Sequence, residues 1–103
     1  MTVEYQIIFW RDIPAQVKLR AGGKRFARNL TDRFEQAIDQ AAMHAGLAGT
    51  DAYLAEWRTS PWNQHDGQLE LVADAVVSQI ESEYPTERLS GLIQTEGRDK
   101  EAG

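Results

Sequence analysis

The apolar positions of this chain fall first into a period of two and then into a period near 3.6. Between Val3 and Trp10, the residues Val3, Tyr5, Ile7 and Phe9 recur at every second position, while Ile8 and Trp10 add apolar bulk to the opposite face. That alternation predicts a strand, and apolar residues on both faces predict one buried on both sides. Arg11 to Pro14 interrupts the run. Pro14 fixes φ and the Asp12 carboxylate can accept from nearby backbone N–H groups, so a turn is expected. Alternation resumes over 15–20, with Ala15, Val17 and Leu19 inward and Gln16, Lys18 and Arg20 outward. The second strand is therefore half solvated and forms a hairpin with the first.

Ala21-Gly22-Gly23 ends the alternation. From Thr31, an N-cap with Asp32 in the first turn, Phe34, Ala37, Ile38, Ala41 and Ala45 share one helical face, and Gly46 supplies the stop. Residues 52–58 fit two periods: Tyr53, Ala55 and Trp57 alternate, whereas Asp51, Leu54 and Ala55 suit a helical turn. A strand is the favoured reading. After a loop over 59–67, Leu69, Val72, Ala73, Val76, Val77 and Ile80 predict a second helix over 68–83, which Pro85 ends. Leu89, Leu92 and Ile93 predict a short third helix.

The order β-β-α-β-α predicts an α+β fold, a small two-layer sandwich with a three-stranded sheet and helices on one face. It fills residues 1–96 as a single domain, and residues 97–103, without an apolar anchor, are expected to form a disordered tail. In this path the third strand runs parallel to the second and antiparallel to the first. The dipeptides Trp10-Arg11 and Trp57-Arg58, each closing a predicted strand, would then lie at opposite ends of the sheet.

Composition narrows the possibilities. A chain of 103 residues, 42% hydrophobic and 26% charged, is that of one ordinary soluble domain. With no cysteine there is no disulfide, thiolate catalyst or cysteine-based metal centre. No signal-like segment is visible and no apolar run nears the roughly 20 residues that span a bilayer, so a cytoplasmic protein without a membrane partner is expected. The net charge of −5 conceals a polarity. Residues 1–33 hold seven basic against three acidic side chains, and residues 34–103 hold four basic against thirteen acidic. Overall acidity argues against a nucleic-acid partner, while the polarity can steer an oppositely charged one.

No set of residues assembles into a catalyst. His65-Asp66 offers two metal ligands without a third at motif spacing, and His44 is explained by the helix C-terminus it occupies. Ser60, Ser78, Ser82 and Ser90 stand in no nucleophile motif, and the acids fit exposed helix faces. No catalytic residue, metal or cofactor is therefore assigned. Two binding candidates remain. Lys24, Arg25 and Arg28, just ahead of a helix, can collect an anion, or they are simply a solvated basic rim. Trp10, Arg11, Asp12, Trp57 and Arg58 form the candidate partner-binding set, because arginine beside an indole stacks on it or clamps a carboxylate. The competing reading makes both indoles core plugs whose arginines reach to water.

Three stretches carry a resemblance: Phe9-Trp10-Arg11-Asp12-Ile13-Pro14-Ala15-Gln16-Val17, then Arg33-Phe34-Glu35-Gln36-Ala37-Ile38-Asp39 with Ala41-Ala42-Met43, then Thr50-Asp51-Ala52-Tyr53-Leu54-Ala55-Glu56-Trp57-Arg58. In this order, over about residues 5–93, they resemble a small bacterial domain family labelled "virulence factor", which also closes longer proteins built from helical repeats. The resemblance implies no catalytic residue. It associates stand-alone members with corrinoid and tetrahydrofolate methyl transfer. The expectation is thus a non-catalytic accessory domain docking on a larger cytosolic protein, a one-carbon enzyme being the class the resemblance implies. A binder of phosphate or polyglutamate-like carboxylates is the second reading and a small enzyme the third. The edge of a short sheet also allows a homodimer by strand pairing.

Overall fold

Two tight turns build most of the sheet. The computed structural model describes residues 2–99 and places β1 (Thr2–Trp10), β2 (Ile13–Ala21) and β3 (Lys24–Asn29) side by side, each antiparallel to the next. Gly22 and Gly23 sit at φ +55° and +82°, the left-handed pair that a two-residue hairpin loop requires and that glycine adopts without steric cost. Ala21 therefore faces Lys24, and Arg20 faces Arg25. The strand β3 lies where no element was expected, because Phe26 is its only large apolar residue.

The middle of the chain departs further from expectation. After α1 (Asp32–His44), residues 52–58 form neither a single strand nor a single helix: α2 (Asp51–Ala55) is followed by β4 (Trp57–Thr59). The Thr50 hydroxyl accepts from the Tyr53 N–H at 3.3 Å, and this local cap overrides the alternation of Tyr53, Ala55 and Trp57. Then come β5 (Asn63–Asp66), α3 (Leu69–Glu83) and α4 (Thr86–Gln94). Both β4 and β5 pair antiparallel with β1, so the sheet has five antiparallel strands rather than three. Because β4 begins at Trp57 instead of ending there, Trp57 lies directly opposite Trp10. The two Trp-Arg dipeptides share one end of the sheet, which overturns the opposite-ends expectation.

Two irregularities shape the sheet. Gln16 opposes Ile8 but Pro14 opposes Phe9, leaving Ala15 as an extra residue in a bulge. Proline is tolerated there, and the Ala15 carbonyl accepts from Leu30 N–H at 3.1 Å instead of from a ladder partner. On the other side of β1, Ser60 to Trp62 separate β4 from β5. Ser60 repairs the gap: its Oγ accepts from Ile7 N–H at 2.8 Å, and its own N–H donates to the Ile7 carbonyl at 2.9 Å.

By strand alternation Val3, Tyr5 and Ile7 share a face, opposite Val17 and Leu19 in register. Val72, Ala73, Val76 and Ile80 of α3 join them in the core, and α3 packs on β2. The buried face of α1, Phe34, Ala37, Ile38, Ala41 and Ala42, packs with Leu89 and Leu92 of α4. Each large apolar side chain so buried contributes about 1.5–3 kcal/mol before entropy is charged against it. Among the described residues no helix is long and apolar enough to cross a membrane.

The start of α1 is capped from outside. Thr31 makes no side-chain bond to its own helix; its N–H and Oγ1 donate to the Glu81 carboxylate on α3 at 3.0 and 2.8 Å. Arg33 adds a bond to Glu81 at 3.0 Å. Burial alone would raise the Glu81 pKa, but the bonds from Thr31 and Arg33 outweigh it and hold the carboxyl below its ordinary value.

The chain does not leave the fold at residue 97. Gly97 is buried, and the Asp12 N–H donates to its carbonyl at 2.8 Å, while Asp99 N–H donates to Asp12 Oδ2 at 2.7 Å. The anchor is backbone and carboxylate rather than apolar, which is why the expected tail began too early. Its remainder, 100–103, lies outside the described residues.

Candidate functional site

The Trp-Arg-Asp turn is the structural joint of the molecule. Trp10 is 0% exposed; its Nε1–H donates to the Tyr53 carbonyl at 2.9 Å, and its ring stacks on Tyr53 with centroids 5.6 Å apart. A buried indole cannot meet a partner, so Trp10 leaves the candidate docking set and the core-plug reading holds for it. Arg11 Nη1 donates to the Glu96 carbonyl at 2.8 Å and Nη2 to Glu56 Oε1 at 3.2 Å. Arg58 Nε donates to the Arg11 carbonyl at 2.8 Å and Nη2 to Asp12 Oδ1 at 3.2 Å. With Asp99 on its second oxygen, Asp12 is held from both sides. Trp57, 37% exposed, and the solvent-facing flank of Arg58 are what this end of the sheet still presents.

The opposite face of the sheet, away from Val3, Tyr5 and Ile7, carries the free charge. Gln6 opposes Lys18 and Arg20 opposes Arg25, so strand pairing brings three cations onto one patch. Trp62, carried over from the break between β4 and β5, lies with its ring 3.9 Å from the Arg20 guanidinium. Arg20 is also bonded to Glu4 at 3.1 Å. Lys18 and Arg25 are exposed and have no ion-pair partner among the described residues. Together with Gln6, these four side chains line a shallow cavity of about 320 Å³.

The expected trio of Lys24, Arg25 and Arg28 is not one cluster. Lys24 shares a second shallow cavity, about 290 Å³, with Arg20 and Arg25 at the hairpin tip. Arg28 points instead to α3 and pairs with Asp74 at 2.6 Å. Lys18, Arg20 and Trp62 stand outside the site residues that the sequence singles out, although the basic strand beside the Trp-Arg-Asp turn carries the first two. The outward alternation of β2 already held Lys18 and Arg20. Had Gly22-Gly23 been read as a hairpin loop, Arg25 would have been placed opposite Arg20.

Beside this cradle lies a cleft of opposite sign. Asp32, Glu35 and Asp39 on α1 line it with Ile8, Tyr53 and Trp57, enclosing about 340 Å³. None of the three acids has an ion-pair partner among the described residues. Burial raises the Tyr53 phenol pKa, and the nearby Asp39 and Glu35 charges push it the same way.

His44 and His65 are exposed and far apart in sequence, and among the described residues no three His, Asp or Glu side chains gather closely enough to hold a metal ion. The cradle offers two cations without an ion-pair partner among the described residues, a third stacked on an indole, and an amide. That combination accepts carboxylates or phosphates next to an apolar group.

A family model described as "Virulence factor" matches residues 8–93. No curated protein and no solved structure matches the chain.

Proposed function

The chain belongs to the virulence-factor family, and from that footing we propose that it is a non-catalytic interaction domain whose cationic sheet face docks on an acidic segment of a larger protein. The observation that carries this reading is the pair of cations, Lys18 and Arg25, without an ion-pair partner among the described residues and beside the Trp62–Arg20 stack on an open face. An aromatic anchor flanked by arginine is the usual energetic centre of an interface. Each exposed charge pair adds only about 0.2–1 kcal/mol, so the docking is modest in strength and sensitive to salt. The Trp-Arg-Asp turn serves this face by fixing β1, rather than by touching the partner with Trp10. A one-carbon methyl-transfer enzyme stays the partner class the resemblance implies, and the cradle supports only its acidic character.

A free anionic ligand is the second reading, because a cavity near 320 Å³ is at the small end of ligand sites. Calorimetric titration separates the two. A glutamate-rich peptide should bind at low ionic strength, weaken about tenfold at physiological salt, and lose binding to Lys18→Glu/Arg25→Glu. Inorganic phosphate and a nucleoside monophosphate are the comparison arms: saturation by either, without a response to peptide, gives the site to a small anion. An identical peptide isotherm for the double variant overturns docking at this face, and no saturation by either anion overturns the second reading.

A further inference from the structure

The cationic cradle and the acidic cleft lie side by side on one face. Gln16 and Ile8 border the cleft, while Lys18 and Gln6 border the cradle. On each strand these positions are two residues apart, about 7 Å. Each region bears an indole, Trp62 in the cradle and Trp57 in the cleft, and each bears charge that the chain itself leaves without an ion-pair partner among the described residues. Between them the Gln16 amide donates to Asn29 at 2.8 Å, a polar centre already satisfied within the chain.

We propose that this face docks on a second copy of the chain about a two-fold axis, the cradle of each copy receiving the acidic cleft of the other. A two-fold interface needs a surface complementary to itself, so a patch must meet its opposite when rotated by half a turn. Adjacent regions of opposite charge satisfy that condition, and Lys18 and Arg25 of one copy then meet Glu35 and Asp39 of the other. The net charge of −5 opposes approach in other orientations, so one charge distribution both drives and orients the contact. An acidic partner would compete with the second copy for the cradle. The inference does not depend on that partner: peptide binding is measured on dilute chain, self-association on concentrated chain.

Sedimentation equilibrium at low ionic strength tests it. The wild type should form dimers that dissociate as salt is added. Lys18→Glu/Arg25→Glu and Glu35→Lys/Asp39→Lys change only exposed side chains, so both should keep the wild-type far-UV circular dichroism and each alone should be monomeric. Mixed together, they should form a one-to-one heterodimer, because the acid-enriched face of one meets the base-enriched face of the other twice. Wild type that remains monomeric at high concentration overturns the proposal. So does a dimer indifferent to both reversals, which would place the contact at the β3 edge, and so does a mixture that fails to associate.

Discussion

Arg11 holds a backbone angle, φ +52°, that costs an L-residue about 1–2 kcal/mol and costs glycine little. What keeps an arginine there is its side chain, which ties the turn to Glu56 and to the Glu96 carbonyl. The two contributions can be separated. Arg11→Ala loses the bonds and keeps the strained backbone, whereas Arg11→Gly loses the bonds and relieves it. Urea denaturation should show both variants destabilised, with alanine worse than glycine by about 1 kcal/mol. Gly97→Ala should also destabilise, since an added Cβ would sit 2.9 Å from the Trp10 ring at φ +83°. The loss is expected at about 1–3 kcal/mol. The bend at Asp12 and Pro14 is legible from the residues themselves. The burial of Trp10 is not, because the groups that bury it, Tyr53 and Gly97, are remote in sequence.

The helices are legible because an apolar stripe and a local stop agree: the face from Phe34 to Ala41 follows Thr31, and the face from Leu69 to Ile80 precedes Pro85. The short edge strands are not. The residues of β5 are all polar, and those of β4 alternate in nothing, so only pairing with β1 makes them strands. Contacts between elements are equally invisible, and the cap on α1 is one of them. Glu81 has a folded-state pKa below its ordinary 4.5. Its stabilisation is therefore complete above that value and is lost as pH falls through the lower, folded one. Glu81→Gln should reduce stability at neutral pH by about 1 kcal/mol and flatten that part of the acid limb, as thermal melts across pH 3–6 would show. A variant whose acid limb matches the wild type would remove Glu81 from the cap.

For the whole molecule, the charge polarity between residues 1–33 and the rest was legible by counting, and it surfaces as two neighbouring regions of opposite sign. That both occupy one face was not legible. It requires β3 to extend the sheet beyond β2 and α1 to flank Ile8 and Gln16, two placements that no local pattern encodes. The joint at Arg11 and Asp12 has a further consequence, in time rather than space. Its closing bonds come from Glu96 and Asp99, 85 and 87 residues downstream. A chain emerging from a ribosome can form the first hairpin early but cannot lock its turn until residues 96–99 have emerged. Closing so long a loop is entropically costly for a few surface bonds, so they are expected to contribute little to the folding transition state. Shortening the chain after Glu96 should therefore leave the refolding rate unchanged and speed unfolding about tenfold, which stopped-flow chevrons would resolve. Residues 96–99 thus act as a late clasp, holding a hairpin that was made some 85 residues before them.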